Sequence, residues 1–198
     1  MSNQQLKIVE GGEDSTPQKI LPNHLLGMLI FIFTEVMFFS GFISAFVIVK
    51  SGAVGGVWPP PGQPRLPVEE TAVNTLMLLL SGVFLFVANK RFRNEPSSAK
   101  NPLLISICLG SLFVVFQGFE WSALLKQGLT MSSSTHGAFF YLIVGTHAAH
   151  CFGAILALAA CFHKLIKQKL EPQFFWGIQA FWYFVVLMWP ILYVLVYL

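Results

Sequence analysis

Five long apolar stretches, separated by short polar connectors, dominate the pattern of this chain. A helix needs about 20 mostly apolar residues to cross the hydrocarbon core of a bilayer, and each stretch is close to that length or longer. The predicted spans are 25–49, 71–89, 102–125, 136–162 and 174–198. The pattern therefore predicts an all-α integral membrane bundle of five transmembrane helices.

The connectors contain residues that end helices. Three prolines follow Trp58, glycines and hydroxyl residues fill 127–135, and lysines with Pro172 fill 163–173. The first 24 residues are polar, of mixed charge and unlike a secretory signal peptide. We therefore expect a flexible cytoplasmic head at 1–24 and a transmembrane domain at 25–198.

Composition supports the membrane class. Hydrophobic residues make up 55% of the chain and charged residues 11%, and the mean hydropathy is +0.68. Soluble domains carry roughly 25% charged residues, and one water-soluble core could not bury this much apolar surface. Three cysteines lie in apolar stretches without metal-ligand spacing, so we expect small buried hydrophobic residues and no metal or cofactor site. They are Cys108, Cys151 and Cys161.

Basic residues are distributed unevenly between the two ends of the predicted spans. Nine lie in the head and in the connectors 90–101 and 163–173: Lys7, Lys19, Lys90, Arg91, Arg93, Lys100, Lys164, Lys167 and Lys169. Three lie at the opposite ends: Lys50, Arg65 and Lys126. Because basic residues favour the cytoplasmic side, we expect a cytoplasmic N-terminus. An odd number of spans then places the C-terminus outside.

Glu35 lies ten residues into the first predicted span, at a depth of about 15 Å. An ionisable group in hydrocarbon costs roughly 2.5–3.5 kcal/mol on insertion scales, so it needs a partner or water. Two roles are open: a neutral acid that hydrogen-bonds a neighbouring helix, or a step in proton handling. The small residues of 40–45 predict the close approach of another helix to this span.

His147 and His150 share one face of the fourth predicted span because they are three residues apart. His147 lies at a depth similar to that of Glu35, so a hydrogen bond from Glu35 to His147 or to His150 is a reasonable hypothesis. A metal or haem role for the two histidines is weaker, since the chain offers no further ligands for it.

Glu120 lies near the outer end of the third predicted span, one turn after Gln117. We expect these two side chains to form a second polar cluster, with His136 as a possible partner from the start of the next span. The expected buried polar network thus comprises Glu35, His147, His150, Gln117 and Glu120, with no catalytic residue among them.

Five sequence strings occur in the order of the five spans. They are Glu35-Val36-Met37 with Ser40-Gly41, Asn74-Thr75 with Ser81-Gly82, Gln117-Gly118-Phe119-Glu120-Trp121, Gly145-Thr146-His147-Ala148-Ala149-His150, and Trp182 through Trp189. Together they resemble subunit III of the haem–copper oxidases, the cytochrome c oxidase subunit III family, in its short five-helix bacterial form. The resemblance covers residues 25–198.

The chain departs from the family pattern at two points. The last helix of the family often carries a His and an Asp, where this chain has Tyr183 and Val186, so any role of that pair is absent. The two additional N-terminal helices of the seven-helix mitochondrial form are also missing, so the lipid-holding cleft that they help to form would require a partner subunit that supplies them.

The resemblance implies a non-catalytic accessory subunit that itself binds no haem or copper. Its expected partners are oxidase subunit I, which with the other subunits carries the haem and copper, subunit II and other respiratory-complex subunits, and membrane phospholipid, but no nucleic acid. The subunit would support proton uptake and the durability of a centre that reduces oxygen to water with electrons from cytochrome c. Its expected place is the bacterial inner membrane, which it crosses several times.

Other functions fit parts of the sequence. Within the family, the alternatives are a subunit of a quinol oxidase and a nitric-oxide-reductase-associated homologue. Outside it, a small proton-coupled transporter could use Glu35 as its carrier, although the inverted repeats and broken helices common in transporters are not evident. A membrane haem carrier that uses His147 and His150 is a further class.

Overall fold

The computed structural model describes residues 23–53 and 58–198, so the predicted head at 1–24 lies almost entirely outside the described residues. The described residues form helices and no strand. The helices are α1 (Asn23–Ser51), α2 (Val68–Asn94), α3 (Lys100–Lys126), α4 (Thr135–Ile166) and α5 (Pro172–Tyr197), with a short 3-10 helix, Pro96–Ala99, before α3.

Local sequence accounts for several helix ends. The hydroxyl of Ser134 accepts a hydrogen bond from the Gly137 N–H at 3.0 Å and thereby caps the start of α4. Helix α5 begins at Pro172, where a missing N–H costs no helical hydrogen bond. Gly128 follows the end of α3 with a φ of +90°, a conformation that L side chains rarely adopt.

All five helices are long and apolar enough to cross a membrane, with mean hydropathies of 1.7 to 2.1 over their apolar stretches. The prediction of an all-α bundle of five transmembrane helices is therefore confirmed for the described residues. At most of their ends, the helices extend beyond the predicted spans, because polar residues continue the helical turns. Lys90 and Arg91 extend α2 in this way, and Lys164 extends α4.

Helix α5 contacts α1, α2 and α4, and helix α4 contacts α1, α3 and α5. Helix α2 packs along α3, and α3 packs on α4. Helix α1 is peripheral: 11% of its apolar stretch is buried, against 33–44% in the other four helices. Its buried side chains are Phe39 and Phe46.

The predicted close approach at the small residues of α1 is wrong within this chain. No described atom of a neighbouring helix lies within 4 Å of a Cβ built on Gly41. Close approach occurs instead on α3, where a Cβ on Gly110 would lie 2.5 Å from the Trp182 ring of α5. The reason is that α1 packs through its phenylalanines, while the small residues of α2 and α3 face the aromatic side chains of α5.

The outer surface of the bundle is apolar. Phe33, Ile48 and Phe119 are each 65–70% exposed. Side chains of this kind on a bundle of this length contact lipid or the helices of other proteins. The polar side chains inside the bundle are consequently exceptions, and each of them requires a partner.

Candidate functional site in two polar clusters

Glu35 of α1 and His150 of α4 form a hydrogen-bonded pair, called here the midplane pair. Oε2 of Glu35 lies 2.9 Å from Nε2 of His150. With a rise of 1.5 Å per residue, Glu35 is about 18 Å from the start of α1 and His150 is about 22 Å from the start of α4. Because these helices start on opposite sides of the membrane, the two side chains meet near its middle.

Hydrogen-bond chemistry fixes how the midplane pair can hold protons. Nδ1 of His150 lies 2.8 Å from the carbonyl oxygen of Thr146, and a carbonyl oxygen only accepts, so Nδ1 carries a hydrogen. The bond to Glu35 then holds one proton. That proton belongs either to a neutral carboxylic acid facing a neutral imidazole or to an imidazolium facing a carboxylate. Both arrangements have no net charge, which suits a low-dielectric site.

The midplane pair lies at the edge of the bundle. Its side chains are 16% and 17% exposed, because the peripheral helix α1 covers α4 only in part. The pair is thus reachable from whatever flanks α1, whether that is lipid, water or another subunit.

His147 belongs to the core and is not a partner of Glu35. It is 1% exposed, its ring stacks on Trp189 with centroids 5.0 Å apart, and its Nε2 lies 3.7 Å from the Cys151 sulfur. The ring of Phe39 packs edge-on against both histidines and separates His147 from the midplane pair. Of the two hydrogen bonds hypothesised for Glu35, the structure contains the one to His150.

Glu120 is the centre of a second group: Thr71, Gln117, Glu120 and Tyr197. It is called here the outer cluster, after the side on which the sequence predicts this end of the bundle to lie. Oε2 of Glu120 accepts from the Thr71 hydroxyl at 2.9 Å and from the Gln117 amide at 2.8 Å. The same amide lies 3.1 Å from the Tyr197 hydroxyl oxygen. Three helices meet here at one end of the bundle, so the cluster connects α2, α3 and α5.

His136 is not part of the outer cluster, so its suggested role as a partner of Glu120 is wrong. Its side chain is buried, and neither ring nitrogen has a hydrogen-bond partner among the described residues. The ring packs edge-on against Trp58, with centroids 5.4 Å apart. Thr71 takes the expected place because the first turn of α2 reaches the depth of Glu120.

Aromatic side chains along α5 donate hydrogen bonds to α2 and so connect the two helices. The sequence pattern did not predict these contacts. Trp182 donates to the Ser81 hydroxyl at 3.0 Å, and Trp189 donates to the Thr75 hydroxyl at 2.8 Å. Farther toward the outer end, Tyr193 donates to the Val68 carbonyl at 2.9 Å. The available signal was the set of small hydroxyl residues along α2.

Tyr183 and Val186, which depart from the family pattern in the last helix, both contact neighbouring side chains or backbone. The hydroxyl oxygen of Tyr183 accepts a hydrogen bond from the Gln179 amide at 2.9 Å. Val186 is buried against Gly82, whose missing side chain would lie 3.3 Å from a Val186 methyl group. An apolar side chain at 186 therefore fills the space that Gly82 leaves on α2.

Within residues 23–53 and 58–198, no three His, Cys, Asp or Glu side chains are grouped so that they could hold a metal ion. The three cysteines are unpaired, with Cys151 and Cys161 buried and Cys108 exposed on the apolar surface of α3. The expectation that all three would be buried is thus wrong for Cys108, because the face of α3 that carries it points away from the other helices.

Five membrane-crossing helices around two separate polar clusters define a polytopic α-helical membrane protein. The sequence matches the family model described as cytochrome c oxidase subunit III over residues 12–198. The chain therefore belongs to the cytochrome c oxidase subunit III family, and the resemblance found in the sequence strings is confirmed.

Curated relatives agree with this assignment. The chain is 33% identical over 179 residues to cytochrome c oxidase subunit 3 of Mus musculus and to that of Syncerus caffer. In both cases the match covers 86% of this chain and 67% of the relative. The match to cytochrome c oxidase subunit 3 of Tragelaphus oryx is 34% identical over 182 residues.

Family membership places the chain among the accessory subunits of the haem–copper oxidases. Such a subunit associates with other oxidase subunits and belongs to the respiratory chain. Together with the five apolar helices, it also establishes a multi-pass membrane protein.

Proposed function

We propose that the chain is subunit III of a haem–copper terminal oxidase in aerobic respiration. In this role it packs on the catalytic subunit I, with subunit II and further respiratory subunits nearby and haem and copper in those partners. The complex takes electrons from cytochrome c and reduces oxygen to water. Family membership and the apolar outer surface of the bundle support this role, because an accessory subunit needs a broad surface for lipid and partner helices.

The proposed place is a bacterial inner membrane, with the N-terminus in the cytoplasm and the C-terminus outside. The head at 1–24 then precedes the transmembrane domain at 25–198 on the cytoplasmic side. Charge supports this orientation: among the described residues, seven Lys and Arg lie at the ends of α2 and α4 or the starts of α3 and α5, and three lie at the opposite ends.

The proposal also includes a part in proton uptake, and the observation that carries it is the midplane pair. A proton that has two positions of equal net charge can move between Glu35 and His150 without placing a net charge in hydrocarbon. The pair is partly exposed at the edge of the bundle, where a flanking subunit can reach it. The outer cluster lacks such a neutral exchange partner and is proposed to have a structural role.

The variant Glu35→Gln tests the role in proton uptake. A glutamine can still donate to Nε2 of His150, so the helix contact is kept, but it cannot exchange the proton. We expect the assembled oxidase to form normally and its proton uptake during turnover to slow several-fold, as measured with a pH-sensitive dye in stopped flow.

The matched control is Glu120→Gln in the outer cluster, which changes a carboxyl of the same helical bundle in the same way. We expect proton uptake by this variant to match that of the unmodified complex. Equal rates in both variants and the unmodified complex would mean that the midplane pair is only a structural contact.

A further inference from the structure

A cavity of about 660 Å³ opens at the end of the bundle that carries most of the basic residues. It lies between the two connectors of that end, below the 3-10 helix, where α2 and α4 end and α3 and α5 begin. The lining combines charged side chains, Arg93, Glu95 and Lys100, with apolar side chains such as Leu165, Leu170 and Trp176.

The polar part of the lining offers mainly hydrogen-bond donors. Arg93 and Lys100 supply two positive charges, and the guanidinium of Arg93 lies 5.6 Å from the centre of the Trp176 ring. The indole N–H of Trp176 is buried without an acceptor among the described residues. The one carboxylate, Glu95, already accepts a hydrogen bond from Ser97. The two cationic side chains outnumber the one carboxylate, and the Trp176 N–H lacks an acceptor, so the cavity suits an anion.

The rest of the lining excludes a purely polar ligand. The cavity is also lined by apolar side chains, among them Leu165, Leu170, Pro172 and Trp176. The cavity is also far larger than a single phosphate ion. Its position where the apolar spans end is the level of lipid headgroups, at which tryptophan rings are commonly found.

We propose that this cavity binds the phosphate headgroup of an anionic glycerophospholipid, such as phosphatidylglycerol, with the first part of the acyl chains against Leu165, Leu170 and Trp176. Basic pockets between transmembrane helices on the cytoplasmic side are suited to such headgroups. A zwitterionic lipid fits less well, because its ammonium group would meet Arg93 and Lys100.

The proposed site differs from a cleft formed with additional N-terminal helices, since every lining residue belongs to α2–α5 and their connectors. The inference extends the expectation, drawn from the family resemblance, that membrane phospholipid binds this subunit, and it rests on the proposed function. If the lipid site is wrong, the proposed assembly with the oxidase is unaffected, because bound lipid is measured on complexes that have already assembled.

The test is native mass spectrometry of the assembled complex in mild detergent, titrated with phosphatidylglycerol or phosphatidylethanolamine. We expect the double variant Arg93→Gln/Lys100→Gln to lose one bound phosphatidylglycerol per complex, with affinity reduced about fivefold for each charge removed. Retention of phosphatidylethanolamine should not change.

The matched control is Lys90→Gln/Arg91→Gln, which removes two exposed charges from the same end of α2, outside the cavity. We expect this variant to retain phosphatidylglycerol like the unmodified complex. If both double variants lose the same amount of phosphatidylglycerol, the loss is due to general surface charge and the proposed site is wrong. Unchanged retention in Arg93→Gln/Lys100→Gln would also overturn it.

One further variant and one competition experiment complete the test. If the double variant fails to assemble, Trp176→Phe removes only the indole N–H and keeps the ring; it should weaken phosphatidylglycerol binding, and full retention would count against the site. Inorganic phosphate at millimolar concentration should not displace the lipid. Complete displacement by phosphate would show a site for a free anion instead.

Discussion

The Thr71 hydroxyl lies 2.9 Å from Glu120 Oε2 and 2.7 Å from the Pro67 carbonyl oxygen. It thereby connects the first turn of α2 to α3. The Gln117 amide approaches the same carboxyl oxygen at 2.8 Å. Because a buried carboxyl that loses a partner keeps its desolvation cost, Thr71 should contribute measurably to the stability of the bundle.

We expect Thr71→Val to lower the free energy of unfolding by about 1 kcal/mol. Valine keeps the branched shape and removes only the hydroxyl. The measurement is the unfolding transition in detergent. Thr34→Val is the matched control, since Thr34 is exposed and its hydroxyl bonds only the carbonyl of Phe31. A similar loss in both variants would rule out a specific contribution of the outer cluster.

At this scale, sequence spacing predicted which residues are close but not which atoms bond. The three-residue spacing of His147 and His150 correctly places them on neighbouring positions of α4. The rotation of α4 about its axis, together with the Phe39 ring, decides that His150 meets Glu35 and His147 meets Trp189. Such rotation depends on packing across helices, which the local pattern does not contain.

The remaining partners were missed because they lie far away in sequence. Thr71 is 49 positions from Glu120, and Tyr197 is 80 positions from Gln117. The sequence could have indicated that all of them lie near the outer ends of their helices. It could not indicate that three helix ends converge at one point.

Helices α3 and α5 are in close contact at Gly110. A Cβ added there would lie 2.5 Å and 2.7 Å from two carbons of the Trp182 ring. That ring is fully buried and is held by its hydrogen bond to Ser81, so it cannot turn away without losing a partner. Both helices would have to separate to admit even one methyl group.

We expect Gly110→Ala to destabilise the bundle by about 1–3 kcal/mol, the range for overpacking of a filled core. Gly118→Ala on the same helix is the matched control, because no atom of another helix lies within 4 Å of its Cβ position. Thermal unfolding in detergent compares the two. A Gly110→Ala protein as stable as Gly118→Ala would contradict the described contact of α3 with α5.

The number of helices was predictable, because hydrocarbon thickness sets the length of a span and each apolar stretch of that length predicts one helix. Every span is long enough for the bilayer, and no apolar stretch in the described residues remains outside a helix. Which helices contact one another was not predictable in the same way. Trp182 and Trp189 of α5 donate their indole N–H groups to α2, and this contact between helices distant in sequence is not contained in the local pattern.

The orientation of the whole molecule predicts which connectors can be labelled from outside the cell. In a variant without the native cysteines, Ser132→Cys between α3 and α4 should react with a membrane-impermeant maleimide in intact cells. Ser97→Cys in the 3-10 helix should react only after the cells are opened. Both serines are exposed in the structure. The reverse labelling pattern would invert the proposed topology.

The most direct test of the central claim, that the chain is an accessory subunit of a haem–copper oxidase, is purification of the tagged full-length chain from native membranes in mild detergent. Mass spectrometry identifies the proteins retained, and a visible spectrum reports their haem. We predict recovery of a haem–copper catalytic subunit in a one-to-one ratio with this chain. Recovery of the chain without any haem–copper subunit would contradict the account.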